Sequence, residues 1–303
     1  MFKNLLVPLD GSSLAEAILP AAQSLGKQLH ARVTLLHVVE PDAPATIHGD
    51  THLLNATDAQ AYLERRAQQL RDAGVQVNWH VDVGARGDVA KTIFAHTAEL
   101  DADLVLLTTH GGSGLRDIVS GNIAQQVIQS GAVPVLVLRP EIVRAEFVPG
   151  RILVPLDGSP AHEPALDLAA VLARDYGATL HLVVVVPTLG TLPPERAATG
   201  VLLPTSTKAI LDLAQSGAVE YLQKQVDALK ARGVTVSAEV ARGDPATRIL
   251  EAAQRGGTDL FVMATHGRAG LGAFWEGSVT PKVLGRAQAP VLLVRVEGSE
   301  QVR

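Results

Sequence analysis

The chain has 303 residues, a length that predicts roughly two domains, each able to bury a hydrophobic core. Hydrophobic residues make up 47% of the sequence and aromatic residues 3%, which favours a globular α/β protein over a disordered chain. The absence of cysteine excludes disulfides and thiolate metal sites, and the net charge of −5 argues against a nucleic-acid partner. No apolar run approaches the ~18 residues of a membrane span, and the N-terminus lacks a signal-peptide core, so we expect a cytoplasmic protein.

Strands and helices alternate along the first half of the chain. The apolar run at 4–9 predicts a buried strand, and Ser13 and Glu16 have the spacing of a capping box for an Ala-rich helix that ends near Leu29. The other predicted elements are strands at 33–39, 75–83, 103–108 and 135–139, a helix at 57–73 ended by Gly74, a helix that starts at Asp88, and a helix after a glycine-rich loop.

The second half repeats the first. Residues 6–12 read Leu-Val-Pro-Leu-Asp-Gly-Ser, and the same seven residues stand at 153–159. Later matches are Ala-Arg-Gly-Asp at 85–88 and 241–244, Thr-His-Gly at 109–111 and 265–267, and Pro-Val-Leu at 134–136 and 290–292. The offset is 147 residues between 6 and 153 and 156 residues between 85 and 241, so repeat 2 should carry nine extra residues, which we place in a Pro- and Thr-rich loop at 188–207.

The second repeat predicts the same elements as the first. They are strands at 153–156, 180–186, 234–240, 259–264 and 291–295, and helices that start at Ser159-Pro160, run from about Lys208 to Arg232 before Gly233, and start at Asp244. Strands that alternate with helices predict a parallel sheet with helices on both faces. The sequence therefore predicts two tandem α/β domains, residues 1–143 and 149–298, each a doubly wound, Rossmann-like, five-stranded parallel sheet.

Each repeat has a glycine-rich pattern after its fourth strand. Repeat 2 reads Met263-Ala264-Thr265-His266-Gly267, nine residues, then Gly277-Ser278-Val279; repeat 1 reads Leu107-Thr108-Thr109-His110-Gly111, nine residues, then Gly121-Asn122-Ile123. A helix that begins at the later glycine directs unpaired N–H groups outward, and glycine lets a phosphate approach the backbone. Parallel sheets bind ligands at the carboxyl ends of their strands, so the pattern predicts a phosphate site at that edge.

These motifs resemble those of the universal stress protein family, and the resemblance extends over nearly all of both repeats. The nucleotide-binding members of that family have Gly, two residues, Gly, nine residues, then Gly followed by Ser or Thr, and their first strand ends in Val-Pro-x-Asp-Gly-Ser. The resemblance implies an adenine-nucleotide α-hydrolase-like fold that binds ATP, with or without Mg²⁺. It also implies adenine contacts at Pro8 and Val38 in repeat 1 and at Pro155 and Val185 in repeat 2.

The strand-end carboxylates, Asp10 and Asp157, can bind ribose hydroxyls, or they can simply cap the Asp-Gly-Ser turn. The predicted nucleotide-binding residues are Pro155, Asp157, Val185, Met263, Ala264, Gly267, Gly277, Ser278 and Val279 in repeat 2, and Pro8, Asp10, Val38, Leu107, Thr108, Gly111, Gly121, Asn122 and Ile123 in repeat 1. The first motif glycine is replaced by Ala264 in one repeat and by Thr108 in the other, where Asn122 also replaces the hydroxyl residue. Repeat 2 is therefore the better candidate, and repeat 1 stays open.

Several histidines have simpler interpretations than a catalytic or metal-binding role. His110 and His266 are interpreted as strand-end residues that bond the loop backbone. His48 and His52 stand four apart but have no obvious third ligand, so no metal site is predicted.

The function expected from these residues is binding without fast catalysis. The sequence lacks a P-loop and paired carboxylates for magnesium, so no catalytic residue is assigned. The resemblance implies an ATP-binding regulator or sensor in the stress response; a nucleotide-independent scaffold and a slow ATPase stay open. The resemblance also implies that residues 135–138 and 291–294 face each other in an intramolecular pseudo-dimer, because single-domain members of the family typically pair through their last strands. Further homodimerisation stays open.

Overall fold

The computed structural model describes residues 1–40, 44–47, 49–84, 88–109, 126–128, 133–142, 146–192, 198, 202–266 and 279–296. Contacts within the chain divide it into two compact units. The first consists of Met1–Val148 with Pro290–Arg295, and the second of Pro149–Ala289 with Val296–Arg303. Among the described helices, none has the length and apolar composition that a membrane crossing needs.

The first repeat contains alternating strands and helices, as predicted. They are β1 (Asn4–Pro8), α1 (Ser13–Glu16), α2 (Leu19–Leu29), β2 (Arg32–Val38), β3 (Thr46–Ile47), β4 (Asp50–Thr51), α3 (Ala56–Asp72), β5 (Gln76–Asp82), α4 (Val89–Glu99), β6 (Leu104–Thr108) and β7 (Val135–Leu138). The sheet has the order β5-β2-β1-β6-β7 and all these neighbours are parallel, while β3 and β4 form a short antiparallel hairpin.

The second repeat has the same order of elements. They are β8 (Arg151–Leu156), α5 (Glu163–Tyr176), β9 (Thr179–Val186), α6 (Pro204–Ala231), β10 (Val236–Arg242), α7 (Pro245–Gly256), β11 (Leu260–His266), α8 (Val279–Leu284) and β12 (Val291–Val296). Strands β10, β9, β8 and β11 follow one another in parallel, in the sheet order of the first repeat. The prediction of tandem α/β domains with Rossmann-like parallel sheets is confirmed.

The last strand of the chain belongs largely to the first compact unit. Residues 290–295 are part of that unit, and there β12 runs antiparallel to β7, with Val291 opposite Val137 and Leu293 opposite Val135. All four residues of β7 are buried, so this pairing covers an apolar strand that would otherwise be an exposed sheet edge. The expected pairing of the two last strands is confirmed.

The first helix differs from its prediction in two ways. Ser12, not Ser13, is the N-cap, because its hydroxyl accepts from the backbone N–H of Ala15 at 3.1 Å. The helix is also interrupted between α1 and α2, where Pro20 has no N–H to donate to the carbonyl of Glu16. The predicted capping box and continuous helix are therefore wrong.

In the second repeat, two helix starts differ from their predictions. Ser159-Pro160 opens a 3-10 turn, Pro160–His162, and the α-helix begins only after it. Helix α6 begins at Pro204, four residues before the predicted start, because proline suits the first turn of a helix, where no N–H partner is needed. The predicted loop at 188–207 is thus partly helical.

The third helices of both repeats begin as predicted. The carboxylates of Asp88 and Asp244 accept from the backbone N–H groups of Lys91 and Thr247, at 3.1 and 2.9 Å. The Arg-Gly-Asp triplets therefore end in helix N-caps.

Candidate functional site

The strand order reverses beside the first strand of each repeat, because β1 lies between β2 and β6 and β8 lies between β9 and β11. On one side the pairing is long, but β1 pairs with β6 only at Leu5 and Leu6, and β8 with β11 only at Ile152 and Leu153. Both strands continue past the last pair in each case. Their carboxyl ends therefore separate into the crevice in which doubly wound sheets bind ligands.

The described part of the predicted repeat 2 site lies at this edge. Pro155, Val185 and Met263 are at or near the ends of β8, β9 and β11, with Met263 buried and the other two partly buried. Ala264 follows Met263, and Val279 is the first residue of α8. The predicted residues Gly267, Gly277 and Ser278 lie outside the described residues.

The carboxylate of Asp157 stands at the rim of the repeat 2 crevice, with its side chain 54% exposed. Its Oδ1 accepts from the backbone N–H of Ser159 at 2.8 Å and contacts Nδ1 of His162 at 2.6 Å. Partial burial acts to raise the pKa of Asp157, but the hydrogen bonds from His162 and Ser159 outweigh it and hold that pKa below its usual value. Asp157 is therefore an ionised hydrogen-bond acceptor at neutral pH.

His162 was missed by the sequence analysis. It lies at the end of a 3-10 turn, five residues after Asp157, and its counterpart in the aligned first repeat is Ala15. A polar residue that replaces an alanine three positions after a repeated motif was the available signal.

In repeat 1, the strand-end carboxylate has a structural role. Asp10 Oδ1 accepts from the backbone N–H of Ser12 at 2.8 Å, which caps the turn before the first helix. Asp157 makes the same bond to Ser159, so both carboxylates cap their turns through Oδ1, and this bond leaves Oδ2 of Asp157 available to a ligand.

Residues 50–53 lie over the repeat 1 loop. Asp50 Oδ2 accepts from the backbone N–H of Ser13 at 2.7 Å and from its hydroxyl at 2.9 Å. Gly11 has φ +91°, and a Cβ built on it would lie 2.9 Å from Cγ and Cδ1 of Leu53. The loop that contains Asp10 is therefore in close contact with the segment that follows the β3–β4 hairpin.

The buried ring of His37 ties the same two segments together. Its Nδ1 lies 2.7 Å from the carbonyl oxygen of Leu9 and its Nε2 lies 3.2 Å from that of Leu53. Strand register places Val184 at the equivalent position of repeat 2, because Leu36 pairs with Pro8 and Val183 with Pro155. The sequence analysis gave His37 no role, although a histidine inside an apolar strand indicates a specific polar contact.

The other described repeat 1 candidates also lie at the crevice. Val38 and Leu107 are buried, while Pro8 and Thr108 are partly buried at the ends of β1 and β6. The predicted residues Gly111, Gly121, Asn122 and Ile123 lie outside the described residues. The same is true of His48 and His110 and of the side chain of His266.

His52, the partner of His48 in the rejected metal pair, is buried. Its Nδ1 lies 3.0 Å from the carbonyl oxygen of Pro44, and its Nε2 lies 4.0 Å from Glu40. These contacts give His52 a structural role in the segment after β2.

A cavity of about 330 Å³ lies at the opposite, amino-terminal edge of the second unit's sheet. Arg151, His181 and Arg255 line it, and Arg255 is paired with Glu239 at 2.7 Å. Since ligands of doubly wound sheets bind at the carboxyl ends of the strands, we place the candidate site in the crevice and not in this cavity.

Comparisons with known proteins agree with this architecture. The model of the universal stress protein family matches residues 1–139 and 149–295. A universal stress protein of Mycolicibacterium smegmatis is 26% identical over 307 residues, which cover 96% of this chain and 97% of the relative. One of Methanocaldococcus jannaschii is 32% identical over 148 residues, 48% of this chain and 81% of the relative. The crystal structure of a universal stress protein from Archaeoglobus fulgidus has a TM-score of 0.70 at 18% identity, covers 97% of this chain and 96% of its own, and supports the fold alone.

Proposed function

The chain belongs to the universal stress protein family, and we propose that it binds ATP and acts as a nucleotide-dependent regulator or sensor in the stress response. The observation that carries this proposal is the carboxyl edge of β8 at its crevice with β11, where an ionised Asp157 follows the strand and the apolar Pro155 of β8 and Val185 of the neighbouring β9 are partly buried. Apolar residues with a carboxylate acceptor at the same edge suit a nucleoside, whose base is flat and whose ribose offers two hydroxyl donors.

Each part of the nucleotide has a proposed partner in repeat 2. Adenine packs against Pro155 and Val185, and the ribose hydroxyls donate to Oδ2 of Asp157, since Oδ1 already accepts from Ser159 and His162. The phosphates, with or without Mg²⁺, bind at the segment Gly267 to Ser278 that leads into α8.

We assign the nucleotide to repeat 2 before repeat 1. In repeat 1 the loop of Asp10 is held under Leu53 and Asp50, whereas a Cβ on Gly158 would have no described atom within 4 Å. Thr108 also adds a branched side chain where Ala264 adds a single methyl group. These contacts favour a structural role for the first loop, so repeat 1 is the part of the chain to which the scaffold alternative applies.

The proposal is tested with a matched pair of variants, Asp157→Asn and Asp10→Asn, in the full chain. Equilibrium dialysis with labelled ATP, AMP and cyclic AMP should show one saturable ATP site. Asp157→Asn should weaken it about 10- to 100-fold, because a hydrogen bond to a charged group contributes about 1.5–3 kcal/mol. Asp10→Asn should change it by less than about threefold, which corresponds to under about 0.7 kcal/mol.

Two results would contradict the proposal. Absence of saturable binding below millimolar nucleotide would favour the scaffold alternative for the whole chain. Equal losses in the two variants would overturn the assignment to repeat 2. Turnover of ATP that survives exhaustive purification and is lost in Asp157→Asn would instead support the slow ATPase.

A further inference from the structure

Two histidines and an aspartate meet at the carboxyl end of β5, the edge strand of the first unit. His80 and Asp82 are two residues apart on this strand, so their side chains leave the same face of the sheet. His96 comes from α4, and one ligand atom from each of the three residues lies within 4.8 Å of the other two. The sequence analysis considered only His48 and His52 as a metal pair, and it did not consider this group.

The two inner members of the group are held in fixed orientations. Nε2 of His96 lies 2.8 Å from Oδ2 of Asp82, and Oδ1 of Asp82 accepts from the backbone N–H of Gly84 at 2.7 Å. The His96 side chain is only 6% exposed. The backbone contact therefore sets the carboxylate so that its other oxygen faces the imidazole.

A second carboxylate approaches His96 from behind. Glu99 is three residues further along α4, and its Oε2 lies 2.9 Å from Nδ1 of His96, although the contact does not have the geometry of a hydrogen bond. Histidines that bind metals almost always direct their second ring nitrogen to a carboxylate, a carbonyl or water, which orients the ring and raises its basicity. The buried Nδ1 of His96 has no hydrogen-bond partner among the described residues, and a rotation of the exposed Glu99 side chain would supply the contact expected around a metal ligand.

From this geometry we propose that His80, Asp82 and His96 bind one divalent transition-metal ion, with Zn²⁺ as the representative. Two imidazoles and one carboxylate suit Zn²⁺, Co²⁺ or Ni²⁺, whereas Mg²⁺ and Ca²⁺ prefer oxygen ligands alone. Ligand atoms around tetrahedral zinc are about 3.3 Å apart, given metal–ligand distances of about 2 Å. The exposed His80 can rotate to close the remaining gap, and a fourth position stays open to water.

The same group has an explanation without metal. The rings of His80 and His96 are in edge contact, with centroids 4.8 Å apart, and Asp82 with His96 can form an ion pair. These contacts would hold α4 on β5 without any ion. The two explanations differ in what they predict for zinc. Only a metal site binds zinc with an affinity that depends on the side chains of His80 and Glu99.

The second repeat provides a natural comparison within the chain. Val38 pairs with Asp82 and its counterpart Val185 with Ala241, so Glu239 and Ala241 stand where the first repeat has His80 and Asp82. His96 and Ala252 both lie eight positions after the N-cap aspartates Asp88 and Asp244. Two of the three ligands are thus alanine in repeat 2, and a single ion per chain is expected.

The test is zinc titration of the full chain after treatment with EDTA and dialysis, followed by calorimetry. One Zn²⁺ should bind per chain, and Co²⁺ should give the visible absorption of a tetrahedral site. His80→Ala should weaken zinc binding at least about tenfold and abolish that absorption. Glu99→Ala should weaken binding by about tenfold, as usual for a residue behind the ligand. Both side chains are exposed, Glu99 by 64%, so these variants are expected to fold.

The control variants distinguish zinc binding at this site from nonspecific zinc binding by a surface histidine. His181→Ala removes a partly exposed strand histidine whose Nε2 lies 3.6 Å from Glu239, and it should leave zinc affinity unchanged. Asp82→Ala and His96→Ala install the residues of repeat 2 and should abolish binding where they fold. The proposal is overturned if the wild-type chain shows no saturable zinc binding, or if His80→Ala binds zinc as tightly as the wild type does.

Discussion

Residues 6–12 and 153–159 have the same sequence, yet the loops that they form have different surroundings. In the first repeat Leu53 packs on Gly11, and Asp50 binds Ser13. In the second, no described atom lies within 4 Å of a Cβ built on Gly158, and Asp157 is partnered by His162. The backbone is nearly the same in both, since Gly11 and Gly158 have φ +91° and +83°.

The difference shows that a repeated motif predicts the backbone conformation of a loop but not the function of its side chains. The turn is set by local residues, whereas its exposure depends on the segment between the second strand and the next helix. Repeat 2 is longer in that segment and has Val184 in place of His37. If the contacts of Leu53 and Asp50 distinguish the two loops, equivalent substitutions in the two repeats should have unequal effects on stability.

The largest expected effect is on Gly11. Gly11→Ala should destabilise the chain by about 2–4 kcal/mol, the sum of about 1–2 for an L-residue at positive φ and about 1–2 for the contact with Leu53. Gly158→Ala should cost only the first amount, because its Cβ meets no described atom within 4 Å. Urea unfolding followed by circular dichroism measures both. Leu53→Ala should relieve part of the cost in a double-mutant cycle, and equal costs at the two glycines would contradict the difference in cover.

A smaller effect is expected at His37. His37→Val installs the residue of repeat 2 and leaves the carbonyls of Leu9 and Leu53 without this partner, which should cost about 1–3 kcal/mol. Hydrogen exchange should show that the wild-type amides of residues 10–13 are better protected than those of 157–159. The substitution should remove that difference. If protection of residues 10–13 were unchanged in the variant, His37 would not be what holds the loop.

The smallest effect on stability is expected at the helix N-caps, Asp88 and Asp244, which have the same role in both repeats. Asp88→Ala and Asp244→Ala should each cost about 1 kcal/mol at neutral pH, because each removes an N-cap. The side chain and backbone of Lys91 lower the pKa of Asp88, and the backbone N–H and hydroxyl of Thr247 lower that of Asp244.

The sign of the pH dependence follows from these lowered pKa values. The two carboxylates stabilise the fold above the unfolded pKa of about 3.9, and the contribution is lost as pH falls through the folded value. Thermal unfolding from pH 7 to pH 2 should show the alanine variants approaching the wild type in acid. Asp244→Asn, which keeps a cap, is the control, and a gap that stays constant with pH would contradict the assignment.

Much of the fold could be predicted because its signals are local. Buried parallel strands are continuous apolar runs, and the caps at Asp88 and Asp244 are recognised by short-range spacing. The choice between Ser12 and Ser13 as N-cap could not be made this way. It depends on the direction in which Gly11 turns the chain, and both serines are acceptable caps.

The position of part of the candidate site could also be predicted from the sequence. Pro155, Val185 and Met263 lie at one edge, as expected from the rule that parallel strands end together. His162, Leu53 and the group around His96 were not predicted, because no sequence spacing specifies which side chains a turn, a hairpin or a helix face brings to a strand end.

The sequence by itself determined the duplication, the alternation of strands and helices and the sheet edge that holds the candidate site, since each follows from apolar runs, glycines and caps within a few residues. Only the tertiary structure decided that Leu53 covers one Asp-Gly-Ser loop while no described residue covers Gly158 in the other, and that His96 faces Asp82. Such contacts join residues from different elements, and their partners are chosen by how whole elements pack together.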